Sequence, residues 1–182
     1  MAASDKRRYR KVLCRMYGDD KFLQLSKPQP NAQTLWIYLI TGPHTTSVPG
    51  LFQAGEAYFS EALNWFFRGF RNAWREIERL QMAKADWKAR VVWLPKAVRY
   101  NAPENPNVIR GWRHALDEIP ACPLKTEAIG FLKGYVKGLG EPFRQAFTEL
   151  LGYSTAFPLP NQEQEQEQEP DQEPSSRFTV IR

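Results

Sequence analysis

Four arginines, Arg68, Arg71, Arg75 and Arg79, recur at spacings of three and four across residues 66–81, FFRGFRNAWREIERLQ. A guanidinium is planar and offers paired donors, a geometry that fits a phosphate or the edge of guanine bidentately. At 100° per residue the four arginines share one side of a helix. Phe67, Phe70, Trp74 and Ile77 share the roughly opposite arc, flanked by Phe66, Ala73 and Leu80. The pattern predicts a helix with one buried face and one cationic face. A run of charge on a helix is most simply its solvated side, and Glu76 and Glu78 are spaced to pair with some of these arginines. The use of arginine alone, with no lysine, favours an anion-binding face.

The residues after this helix strengthen the case. Residues 82–86 (MAKAD) and 90–94 (RVVWL), joined by Trp87-Lys-Ala, read as a short hairpin with basic side chains near its tip. Residues 54–63 read as a helix and Asn64 as the break before the arginine-bearing helix, so the order is helix, helix, hairpin. That is the order of a winged helix-turn-helix, whose second helix enters the major groove. On this reading Arg68, Arg71, Asn72 and Arg75 meet base edges, while Arg79, Lys84, Lys88 and Arg90 hold phosphates. Neutralising about five phosphates gives a log–log salt slope of roughly −4 to −5.

Other chemistries fit less well. In residues 44–50, HTTSVPG, the pair His44 and Ser47 suggests a nucleophile and base, but no acid stands at a suggestive spacing and such hydroxyls usually satisfy loop backbone. Cys14 and Cys122 lack any CxxC, and with His44 and His114 they make a poor zinc set, so both read as reduced thiols. Gly134, Gly138 and Gly140 lack the strand that a phosphate loop requires. The chain contains no Walker A, HExxH, GxSxG or Rossmann fingerprint. The expectation is a protein that is not an enzyme and needs no cofactor or metal.

The elements that position these residues are legible in outline. Residues 9–17, YRKVLCRMY, read as a strand ended by Gly18-Asp19-Asp20, with Asp20 capping a turn of helix through Leu25. Asn31 caps a helix over 32–41 with Leu35, Trp36, Leu39 and Ile40 inward, stopped by Gly42-Pro43. Leu51-Phe52 reads as a small strand. Asn105-Pro106-Asn107 caps a helix over 108–116, and helices over 125–139 and 141–151 come next as a support or a homodimerisation surface. The fold class expected is mainly α with a small β-hairpin (α+β). The divisions are a basic disordered arm (1–10), a winged helix-turn-helix domain (11–103), a C-terminal helical extension (104–152) and a disordered QE-rich acidic tail (153–182).

Charge is divided unevenly along the 182 residues: residues 161–182 carry a net −4 and residues 1–160 a net +9. A basic body points to an anionic partner, most simply double-stranded DNA rather than membrane. The QE repeat has nothing apolar to bury and reads as disordered, or as a competitor for the basic face. The terminal RFTVIR regains apolar character and reads as a docking peptide or a remnant. No apolar run is long enough to span a membrane, and the start, MAASDKRRYRK, lacks an apolar core segment, so a cytoplasmic location is expected.

Asp20-Lys-Phe22, then LSKPQPNAQTLWIYLITGPHTTSVPGLFQAGEA, VVWLPKAVRYNAPENPNVIRGW and LDEIPACPL carry a resemblance. Over residues 10–150 the chain resembles the N-terminal winged-helix domain of phage and prophage replication initiators, the replisome organizers. The resemblance implies origin or single-site DNA binding with recruitment of a helicase or helicase loader. Such organizers carry a further C-terminal module, where this chain has only the tail. A transcriptional regulator of the same fold and a winged-helix protein-interaction adaptor are the alternatives.

Overall fold

The computed structural model describes residues 12–152; the expected basic arm at 1–10, the QE-rich tail at 153–182 and its terminal RFTVIR lie outside the described residues. In chain order the elements are a 3-10 turn (Cys14–Gly18), α1 (Asp20–Leu23), α2 (Ala32–Thr41), β1 (Leu51–Gln53), α3 (Glu56–Leu63), α4 (Phe67–Arg79), β2 (Lys84–Asp86), β3 (Val91–Trp93), α5 (Ala97–Tyr100), α6 (Pro106–Arg110), α7 (Trp112–Glu118), α8 (Pro123–Lys137) and α9 (Glu141–Gly152). The described chain is mainly helical with one small antiparallel sheet of strand order β1-β3-β2.

Local side chains set several helix starts. Asn31 Oδ1 accepts from the Thr34 N–H at 2.8 Å and opens α2. Asn105 Oδ1 accepts from Asn107 and Val108, and Pro106 takes the first helical position, where it loses no bond. The first helical turn is capped by Asp19, not Asp20, whose Oδ1 receives the Lys21 and Phe22 N–H groups.

The strand expected over residues 9–17 is not formed in its described part. Cys14–Gly18 coils into a 3-10 turn that pairs with no strand, and Tyr17 is claimed by α2. The Tyr17 hydroxyl lies 2.7 Å from Thr41 Oγ1, and its ring stands edge-on to Phe22 and Tyr38. The helix expected over 108–116 is two helices, α6 and α7, meeting at Gly111. The hairpin is shorter than the apolar pattern suggests: β2 starts only at Lys84, and Arg90 (φ 57°) takes left-handed backbone that a ladder does not accept.

The sheet is buried on both faces. Phe52, Val92 and Leu94 point into a core built with Leu35 and Leu39 of α2, Phe59 of α3, and Phe70, Trp74 and Ile77 of α4. Leu51, Val91 and Trp93 point the other way, into Ile109, Trp112, Leu132, Val136 and Phe147 of α6–α9. The C-terminal helices therefore form the second wall of the sheet. α8 begins at Pro123, two residues earlier than its apolar stripe implies, with Cys122 Sγ accepting the Lys125 N–H at 3.4 Å. Lys125 itself is only 3% exposed, and its ammonium donates to the carbonyls of Leu116 and Ile119 at the end of α7.

Candidate nucleic-acid interface

The orientation of α4 is fixed by the side chains packed under it. Phe70 stacks on Phe59 with ring centroids 5.6 Å apart and planes at 11°. Trp74 meets Trp87 of the hairpin turn at 4.7 Å. With Phe70, Ala73, Trp74 and Ile77 all buried, the opposite side of the helix must face solvent. That side carries Arg68, Asn72, Arg75 and Arg79, at successive intervals of four, three and four residues. The stripe runs about 16 Å at 1.5 Å per residue. All four residues are exposed. Arg75 donates to Asn72 Oδ1 at 3.3 Å, and among the described residues none of the three stripe arginines has a carboxylate partner. Glu76 and Glu78, spaced to pair with them, do not.

Arg71 differs. It lies on the shoulder of α4 nearest α3, and its Nε and Nη2 donate to the two oxygens of Glu56, each at 2.9 Å. Its guanidinium carbon sits 4.5 Å from the centroid of the Phe67 ring. The Glu56 hydrogen bonds hold the Arg71 proton more tightly than in a free arginine. Arg71 thus stands as half of a neutral pair, and no sequence signal links it to a glutamate fifteen residues earlier.

The hairpin divides the remaining expected contacts. Lys88 is exposed in the turn, which is closed by the Ala89 N–H donating to Asp86 Oδ1 at 2.9 Å. Trp87 folds down on Phe70 and Trp74, bringing that turn against α4. Arg90 is exposed, and its stem passes Gly55 at the start of α3, 3.5 Å from where a Cβ there would stand. Lys84 faces the other way. It pairs in register with Trp93, so both project from the face that α8 covers, and the Lys84 ammonium bonds Glu127 Oε1. The structure therefore gathers Arg68, Asn72, Arg75, Arg79, Lys88 and Arg90 on and beside α4, binds Arg71 to Glu56, and places Lys84 behind the sheet.

The turn between α3 and α4 shows a feature that periodicity missed. Asn64 ends α3 in left-handed backbone (φ 54°, ψ 45°). Trp65 then turns inward, 6% exposed, with its indole N–H donating to the Pro28 carbonyl at 2.6 Å. Phe66 comes next on extended backbone and points out, 90% exposed, and Phe67 is 46% exposed. Counted at 100° per residue, Phe67 belongs to the apolar arc and Phe66 flanks it, which puts both on the expected buried side. The extended backbone at Phe66 is what turns it away from the core.

His44 and Ser47 do not meet as a catalytic pair. Ser47 is exposed, whereas the His44 ring is packed among Tyr38, Phe52, Tyr58 and Phe59 at centroid distances of 4.5–5.8 Å. Its Nε2 lies 3.2 Å from the Leu39 carbonyl and its Nδ1 is buried without a partner among the described residues. Burial pulls its pKa down to about 4. Cys14 bonds Thr45 while Cys122 caps α8, so the two thiols serve different elements. No helix among the described residues is long and apolar enough to cross a membrane. Comparison with protein-family models, with curated proteins and with solved structures finds no match to this chain.

Proposed function

We propose that the chain is a non-catalytic DNA-binding protein of winged helix-turn-helix type that acts in phage-type initiation of DNA replication. The observation that carries the reading is the stripe Arg68–Asn72–Arg75–Arg79, exposed and, among the described residues, without carboxylate partners on the solvent side of a helix whose opposite side is locked into the core. The order α2, β1, α3, α4, β2, β3 with strand order β1-β3-β2 supports the winged-helix assignment, with α4 as recognition helix and the turn at 87–90 as a small wing. Arg68, Asn72 and Arg75 are the base-reading candidates; Arg79, Lys88 and Arg90 are the phosphate contacts. The replication role, with a helicase or helicase loader as protein partner, rests on the resemblance of residues 10–150 to replisome organizers. A transcriptional regulator of the same fold would present the same surface.

The test is fluorescence anisotropy with random duplex DNA and the full chain, comparing wild type with a triple Arg68→Ala, Arg75→Ala, Arg79→Ala variant. Salt-sensitive binding that collapses in the variant is expected. Unchanged affinity in the variant refutes the assignment of α4.

One separate feature favours the adaptor reading. A groove of about 950 Å³ between α2, the 45–50 loop and α5 is lined by Trp36, Ile40, Tyr100 and Val108, of which Tyr100 is 79% exposed. Such a surface suits a protein partner. Partner binding that survives the triple arginine variant would support it.

A further inference from the structure

An exposed apolar residue standing alone needs no explanation, but Phe66 stands in a built setting. It sits at the N-cap of α4, a position where Ser, Thr, Asp or Asn would satisfy an open backbone N–H; Phe66 makes no such bond. Its direction is set from both sides. The inward Trp65, fixed by its bond to Pro28, precedes it, and the first turn of α4, whose Gly69 and Phe70 N–H groups donate to the Phe66 carbonyl at 2.8 and 3.1 Å, comes after it. Proline packing continues on that side, since a Cβ at Gly69 would lie 2.7 Å from Pro30 Cγ. The backbone that carries the ring is thus held, while the ring itself touches little.

The neighbours supply the second part. Phe67 is covered on one face by the Arg71 guanidinium, which Glu56 holds in place. Arg68 begins the cationic stripe immediately after. A bare aromatic ring at the end of a row of guanidiniums is the combination that binds unpaired nucleotides, with rings stacking on bases and cations tracking the backbone. A paired base in a duplex offers its faces only to neighbouring base pairs, so the ring finds no partner there.

We infer that Phe66 is a stacking platform for an unpaired nucleobase, and that the protein binds duplex DNA containing a locally opened segment in preference to fully paired DNA. This rests on the DNA-binding reading of α4 and names the form of DNA that the site takes. Arg68, Asn72 and Arg75 read the flanking duplex while Arg79, Lys88 and Arg90 hold its phosphates, and Phe66 receives a base from the opened segment.

The test uses the full chain and two labelled duplexes of the same length, one fully paired and one with a central mismatched bubble. Phe66→Ala, Phe66→Trp and Arg75→Ala are compared with wild type by anisotropy at several salt concentrations. A 2-aminopurine in the bubble reports stacking. Wild type is expected to prefer the bubble by about 5- to 150-fold, the range of one base–aromatic stack. Phe66→Ala should lose that preference and the 2-aminopurine quenching while keeping its duplex affinity and salt slope. Phe66→Trp should retain both, and Arg75→Ala should weaken binding to both DNAs. Equal wild-type affinity for the two duplexes, or a preference that survives in Phe66→Ala, overturns the stacking role and leaves duplex binding standing. Absence of salt-sensitive binding to either DNA overturns both. Binding to phosphatidylserine vesicles instead of DNA, lost in Phe66→Ala, would assign the ring to a membrane surface and overturn the inference.

Discussion

Between neutral and mildly acidic pH, one buried ring should make this protein lose stability. His44 has its pKa pulled from the ordinary 6.5 down to about 4 by burial, partly opposed by its bond to the Leu39 carbonyl. A base with a depressed pKa binds its proton more readily when unfolded, so stability falls as pH drops through 6.5 and levels off below about 4. From pH 7 to pH 5 the linkage is worth about 2 kcal/mol, and the whole window about 3 kcal/mol. For a domain of this size the first step lowers Tm by about 4–7 °C. Tyr38 beside the ring does not contribute in this window, because its own burial pushes its pKa up. Thermal melts of wild type and His44→Phe at pH 7, 6 and 5 make the measurement, with surface carboxylates common to both. Phenylalanine keeps an aromatic ring in the cage and removes the titration, so its melting temperature should fall less with pH, whatever its stability at pH 7. Parallel curves for the two proteins would show that His44 is hydrated or freely protonated where it sits, and would refute the argument.

Three other perturbations act on single contacts. Glu56→Gln should release Arg71 onto the α4 face, raising duplex affinity and steepening the salt slope by about one unit, whereas Arg71→Ala should leave Glu56 bare and weaken binding; anisotropy titrations read both. Lys125→Met keeps the side-chain length but leaves the Leu116 and Ile119 carbonyls without their donor, and urea denaturation should show a loss of about 1–3 kcal/mol. Gly69→Ala improves helix propensity yet drives a Cβ into Pro30, so the melting temperature should fall by the equivalent of about 1 kcal/mol net.

The features that the sequence displayed are those set within a few residues. The apolar period of α4 marked Phe67, Phe70, Trp74 and Ile77; the last three are buried, while Phe67 in the first turn is 46% exposed. Asn31 announced α2 because a cap acts on the N–H three residues on. Partners distant in sequence were invisible. Nothing in the residues around Arg71 points to Glu56, and nothing near Lys84 points to Glu127, 43 residues later. The 3-10 turn at Cys14–Gly18 is hidden from the sequence for a related reason. Val12 and Cys14 alternate like a strand, but Tyr17 packs on Tyr38 and bonds Thr41 of α2, partners more than twenty residues away that alternation does not report.

The composition of β3 bears on where the domain ends. Val91, Val92 and Trp93 form an unbroken apolar run, and a strand with one wet face would alternate instead. The run reports that both faces of the sheet are covered, the far one by α6–α9. A fragment ending at residue 103 would therefore bare Val48, Leu51, Val91, Trp93 and Val98, each at most 3% exposed in the whole fold. At roughly 1.5–3 kcal/mol per large side chain, the lost burial is about 7–15 kcal/mol, as large as the entire stability of an ordinary domain. The same helices hold the hairpin from behind through the Lys84–Glu127 bond and the Trp93–Phe131 ring contact. Residues 1–103 are thus expected to lack a cooperative thermal transition and to bind a hydrophobic dye, while residues 1–152 melt cooperatively. A sharp melt from the shorter fragment would mean that the near-side core, built on Phe59, Phe70 and Trp74, suffices by itself to position α4 and its arginines.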